Sequence, residues 1–287
     1  MKLKKNYRSQ RKSLIHIWIC SNAISKMEKY LNVLSEKERE TVKNLSKIEK
    51  KTKFVVSRIL IRTALSAAMR GKTQAAEWNI HTKSNGKPFA LCPRNKKNIY
   101  FNLSHAKGLS IVAVSKDQEV GIDIEPLNQD LQPVDLWAVL TERERFDLAL
   151  TPHEERSRNL LRIWTLKEAY LKLIGTGLSI DPATIQVSLD PLEIVTDSDP
   201  QITSSLLLKN WIIELNQELF SLSLATWKPD SVKPVITCNL FDEALGKHHG
   251  PHHFIKRTST QEKEAWKWND YTIYLKDAAA TTKIDLQ

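Results

Sequence analysis

Asp123 and Glu125 stand one residue apart in the run "VGIDIEP", Val120 to Pro126, which is otherwise apolar. In an extended strand, alternation sends both carboxylates to one face with their Cα atoms roughly 6.6 Å apart. Such a pair can hold one hard cation; the competing reading is an edge strand with a wet face. A second stretch with chemical potential is "LLRIWTLKEAYLKLIGTGLS", Leu160 to Ser179, helical in period and stopped by Gly175 and Gly177. At about 100° per residue, Leu160, Ile163, Trp164, Leu171 and Ile174 share one apolar face, with Lys167 in its middle and Glu168 at its edge. A charge against apolar surface is costly unless paired, so Lys167 requires an anion and Glu168 a cation. The alternative is a snorkelling lysine with an i,i+4 pair from Glu168 to Lys172.

The third stretch is "YFNLSHAKG", a strand ending in Ser104 and His105 beside a turn with Lys107 and Gly108. Side chains and freed amides at such a turn can donate to phosphate oxygens. A serine nucleophile with a histidine base is implausible here, because neighbouring strand residues face opposite ways. Arg58 and Arg62 lie four apart on "FVVSRILIRTAL", and Lys83 and Lys87 flank the turn "KSNGKP". One arrangement uses all of these residues. Mg²⁺ held by Asp123, Glu125 and Glu168 would neutralise the carboxylates, while Lys167, Lys172, His105 and the earlier basic residues would hold the phosphates it bridges.

These residues need a frame. "LIHIWIC" reads as a strand, the stretch from Ser35 to Arg70 as one or two helices, and "AEWNIHT", "NIYFNLS" and "LSIVAVS" as antiparallel strands. After "EVGIDIE" the pattern is helical from Asp135 to Ile174, broken at "TPHEE", and strands return in "TIQVSLD", "NWIIELN" and "LFSLSLATW". The order strand, helices, three strands thus occurs twice, which makes an α+β protein of two like halves. Residues 1–118 are the first half, 119–228 the second with the acidic strand, and 229–287 an extension without an assigned role, holding one lone strand or hairpin in "AWKWNDYTIYLK".

Composition bounds the partners. With 287 residues, 41% hydrophobic, the chain can bury a core, and its net charge of +10 calls for an anionic partner. Cys20, Cys92 and Cys238 are scattered and odd in number, so a reduced, cytoplasmic setting is expected. The N-terminal apolar run is too short for a signal peptide, and none reaches the length of a membrane span.

The set "FNLSHAKG", "VGIDIEP" and "WTLKEAYLKLIGTGLS", in this order and spacing, resembles the 4'-phosphopantetheinyl transferases, in particular the larger, surfactin-synthetase-activating type. The resemblance spans about residues 14 to 227. It implies a pseudo-twofold monomer with coenzyme A and Mg²⁺ between two α+β halves, moving the phosphopantetheine arm to a serine of an apo-carrier protein. By position, Asp123, Glu125 and Glu168 resemble the metal ligands, with Glu168 also the base. Lys167 and Lys172 resemble the lysines of the pyrophosphate, Ser104 and His105 contacts to the nucleotide's phosphates, and Gly86 and Lys87 part of the coenzyme A cleft. Arg62, and less closely Lys53, resemble basic positions of that cleft, Arg62 near the 3'-phosphate. Ala106 departs from the hydroxyl residue many relatives carry after the histidine. Two other classes compete: a catalytically idle carrier-binding relative, against which the retained acidic and lysine residues speak, and a nucleic-acid-binding protein, for which no recognition motif is present. The histidines at 248, 249, 252 and 253 form a His-rich loop and read as incidental.

Overall fold

Alternation in Leu14–Ser21 buries Ile15, Ile17 and Ile19 together, and this run forms β1. The computed structural model describes residues 13–22, 27–127, 133–196, 201–215, 218–228, 234–241, 264–268 and 271–277. Two helices follow: α1 (Glu36–Asn44), opened by a capping box between Ser35 and Glu38, and α2 (Ile48–Ala68). Four strands complete the half: β2 (Asn79–Thr82), β3 (Pro88–Leu91), β4 (Asn98–Ala106) and β5 (Leu109–Ser115). The second half repeats the order with β6 (Val120–Pro126), α3 (Glu142–Leu150), α4 (His153–Ile174), β7 (Ile185–Leu189) and β8 (Leu192–Thr196). A single turn, α5 (Ile202–Ser205), then leads to β9 (Leu206–Leu215) and β10 (Glu218–Trp227). Each half therefore has four strands after its helices, not three. The additional ones, β3 and β8, are too short for alternation to separate them from turn material.

The likeness of the halves extends to pairing. In each large sheet the first strand of the half pairs with the last, β1 with β5 and β6 with β10, and the last with the one before. The first sheet runs β11-β1-β5-β4-β3-β2, the second β12-β13-β9-β10-β6, and β7-β8 stand apart as a hairpin. The strands β11 (Val235–Phe241), β12 (Glu264–Trp268) and β13 (Tyr271–Asp277) come from the extension. Of the lone strand or hairpin expected there, the antiparallel pair is what forms, β12 against β13, and the extension joins the body: β11 lies parallel to β1, and β13 antiparallel to β9. The clustered tail histidines lie outside the described residues.

The two sheets pack face to face through Ile15, Ile17, Ile111, Ile122, Ile124, Leu222 and Leu224. Helix α2 covers the outer face of the first sheet through Leu60, Ala64 and Leu65, and α4 that of the second through Leu166, Ala169 and Leu173. Edge strand β6 lies next to β4 of the other sheet, where buried Asn102 accepts the backbone N–H of Ile122 at 3.0 Å. Among the described residues no helix is long and apolar enough to cross a membrane.

Candidate functional site

Gly121, Asp123 and Glu125 share one face of β6, the face turned to α4, while Val120, Ile122 and Ile124 enter the core. Gly121 admits the helix: a Cβ there would lie 1.9 Å from the Ala169 carbonyl oxygen and 2.5 Å from the Leu173 nitrogen. This close approach brings Glu168 and Lys172, one helical turn apart, over the acidic strand. Asp123 Oδ1 accepts from the Ser104 hydroxyl at 2.6 Å and from Lys172 Nζ at 2.5 Å, and Lys172 also donates to Ser104 Oγ at 3.1 Å. The other oxygen, Asp123 Oδ2, is buried without a hydrogen-bond partner.

The neighbouring carboxyls register the crowding. Burial and the Asp123 charge push Glu125 up to about 7 against the pull of Lys172 and a hydrogen bond from Trp164, with Glu168 adding to the rise. Glu168 is raised by burial and by Asp123, with Lys172 opposing. Three carboxylates share a half-buried seam with one ammonium, so the cluster lacks positive charge. Among the described residues no three ligating side chains have already closed on one point. The buried, unpartnered Oδ2 and the raised carboxyls nevertheless fit a hard cation with oxygen ligands.

Ser104 and His105 point to opposite faces of β4. Ser104 meets Asp123, whereas His105 faces α2, 3.4 Å from Ser57 Oγ. Ser110 spends its hydroxyl proton on Asn22 Oδ1 at 2.6 Å, so His105 Nδ1 is the donor in the 2.9 Å bond between ring and Ser110. Burial, then Lys53 and Lys172, drive the imidazole down to about 4. The two lysine charges thus hold the ring neutral, and an anion beside it would favour the charged form.

Three sequence-predicted residues are placed otherwise. Lys167 is fully buried, and its ammonium donates to Glu144 Oε2 at 2.6 Å, Val139 O at 2.7 Å and Pro182 O at 2.9 Å. All three donors are used, on the side of α4 that meets α3 and β7, so Lys167 is a structural ion and not a phosphate ligand. The anion its apolar surroundings require is Glu144. Arg62 is likewise enclosed, donating to Ala75 O at 3.1 Å, Trp78 O at 2.8 Å and Glu38 at 2.8 Å. Its place toward the cleft is taken by Arg58, one turn earlier on α2. Lys87 is buried with its ammonium on Glu119 Oε2 at 3.0 Å and on the Leu173 carbonyl at the end of α4. It clasps the halves instead of facing a ligand, and its loop seats on Gly175, where a Cβ would lie 2.5 Å from Asn85. Gly86, at φ 83°, does line a cleft. Sequence reading missed Asn102, although its place two residues before Ser104 puts both on one face of β4.

Two like α+β halves thus meet at a seam of three carboxylates, an ammonium and a hydroxyl. Residues 18–117 match the family model described as 4'-phosphopantetheinyl transferase, N-terminal, and residues 119–218 that of the 4'-phosphopantetheinyl transferase superfamily, together well over half the chain. The 4'-phosphopantetheinyl transferase HetI of Nostoc sp. is 28% identical over 183 residues, 62% of this chain and 76% of that protein. Sfp of Bacillus subtilis is 24% identical over 165 residues, 56% and 69% of the two chains. A phosphopantetheinyl transferase of Thraustochytrium sp. is 30% identical over 169 residues, 55% and 58%. The chain belongs to the 4'-phosphopantetheinyl transferase superfamily.

Proposed function

We propose that the chain transfers the 4'-phosphopantetheine arm of coenzyme A to a serine hydroxyl of an apo-carrier protein, releasing adenosine 3',5'-bisphosphate. In this reading Asp123, Glu125 and Glu168 hold a divalent cation, Mg²⁺. The observation that carries it is Asp123 Oδ2, buried and unpartnered beside two carboxyls whose pKa values are raised. When bound, the cation would offset negative charge on the pyrophosphate. Glu168, held above the ordinary carboxylate range by burial, is suited to take the serine proton near neutral pH. The serine oxygen bonds to the β-phosphorus as the bond to the bisphosphate breaks, and the proton goes to Glu168. Lys172 and the Ser104 hydroxyl, both now donating to Asp123, would be released to donate to phosphate oxygens once the carboxylate has another partner. The net charge of +10 suits an acidic carrier. Both walls of the site come from one chain, which suits a monomer, and the three buried cysteines suit the cytoplasm.

Incubation with coenzyme A, Mg²⁺ and a panel of apo-carriers, followed by mass spectrometry, tests the reading. A carrier is expected to gain the mass of the arm, and Glu168→Ala or Asp123→Ala to lose nearly all of that transfer with the fold intact. Near-normal transfer by either variant would overturn the assignment of the site.

A further inference from the structure

Between α4 and the second sheet lies a buried polar circuit. Arg162 and Thr165 of α4 meet Asn210 of β9 and Ser221 and Ser223 of β10, and all five residues are buried. Arg162 Nε donates to Asn210 Oδ1 at 2.9 Å, and the Asn210 amide donates its two hydrogens to Ser221 Oγ and Ser223 Oγ, each at 3.0 Å. A guanidinium only donates, so the amide has one orientation. Thr165 donates to the Arg162 carbonyl at 3.1 Å, which leaves its oxygen to accept from both serines at 2.8 Å. The path that leaves α4 at the Arg162 side chain thus returns to it at the Arg162 backbone. The apolar contacts of α4 in this layer, through Leu166, Ala169 and Leu173, are non-directional and tolerate a slide. A closed set of hydrogen bonds holds at one register only.

Strand pairing sets this circuit beside the carboxylates. Ser223 lies directly opposite Asp123 and Ser221 opposite Glu125, and Asn210 continues the Asp123 row beyond Ser223. Such cross-strand neighbours stand about 5 Å apart at Cβ, on one face. On the helix, Thr165 precedes Glu168 by three residues, and Trp164 beside it hydrogen-bonds to Glu125. We propose that the circuit positions Glu168 over Asp123 and Glu125 for a divalent cation, with Thr165 and Asn210 as positioning residues; this rests on the reading of the three carboxyls as its ligands. Both act through the seat of α4 and not by contact with the ion. Apolar filling of such a space is often no less stable, and what the circuit adds is one fixed geometry.

Calorimetric Mn²⁺ titration of the full chain, run beside urea unfolding, tests this without depending on transfer. Thr165→Val keeps the shape and removes the hydroxyl, and it is expected to weaken Mn²⁺ by about tenfold or more in the folded chain. Thr165→Ser, which keeps the hydroxyl, should stay close to wild type. Leu160→Ala, a cavity in the apolar part of the same helix, should lower stability and leave the Mn²⁺ affinity unchanged. Thr165→Val that loses stability yet binds Mn²⁺ as the wild type does reduces the circuit to a fold element and overturns the proposal. So does an equal weakening in Leu160→Ala, or in Thr165→Ser. If Thr165→Val fails to fold, the double variant Ser221→Ala, Ser223→Ala decides: unchanged Mn²⁺ affinity without the serine hydroxyls overturns the proposal. A wild type that binds no Mn²⁺ instead removes the reading of the carboxyls as ligands.

Discussion

His105 shows how a single group couples its surroundings to stability. Its folded pKa, about 4, lies below the ordinary 6.5, so the fold favours the neutral ring. Stability from this group is complete above about pH 6.5 and is lost as the pH falls toward 4. The melting temperature of the ligand-free chain should fall over that window, and His105→Gln should flatten this part of the curve. Saturating coenzyme A should flatten it as well, because phosphate beside the ring restores the charged form. Equal pH dependence in wild type and variant would show that His105 does not titrate in this way. Lys167 gives a second residue-scale expectation. Lys167→Met leaves Glu144 buried and unpaired, a loss of about 3–5 kcal/mol in thermal or urea unfolding. At a permissive temperature the folded fraction should still turn over; lost turnover with unchanged stability would return Lys167 to the chemistry. Periodicity alone made the need for an anion legible at Lys167. It could not say that the anion was Glu144, although the capping-box spacing from Thr141 to Glu144 marks that carboxylate as part of a helix start.

Among elements, the crossing of α4 over β6 governs the site. Gly121 occupies the same alternation phase as Asp123 and Glu125, so its presence on the carboxylate face is readable in the sequence; that a helix presses on it is not. Gly121→Ala would set a methyl against the backbone of Ala169 and Leu173, which gives way only if the helix moves. The expected loss of stability is about 1–3 kcal/mol. Because Glu168 and Lys172 ride on that helix, turnover should fall by more, on the order of a hundredfold for a shift near 1 Å. Unfolding curves and kcat measured on the same preparation check this, and a stability loss with unchanged kcat would contradict it. The choice between Arg58 and Arg62 was equally beyond the sequence. Both lie on one side of α2, and only the neighbours at Glu38, Ala75 and Trp78 decide which one is enclosed.

For the whole molecule, the repeat of element order made the two halves legible, and short β3 and β8 escaped because four or five residues between turns carry little alternation. The place of the extension's strands in the two sheets escaped for a different reason. Their partners, β1 and β9, are distant in sequence, and no local pattern announces a strand that completes a sheet edge. What the assembly of halves achieves is to bring Ser104 from one half against Asp123 and Lys172 from the other, with Asp123 Oδ2 left buried without a hydrogen-bond partner, and the proposal gives that oxygen to a cation. Calorimetric titration of Mn²⁺ into the full chain with coenzyme A present, for wild type, Asp123→Asn and Glu168→Gln, measures this directly. One divalent ion per wild-type chain, lost in both folded variants, is the predicted result. Undiminished binding in both variants would show that these carboxylates do not hold the ion.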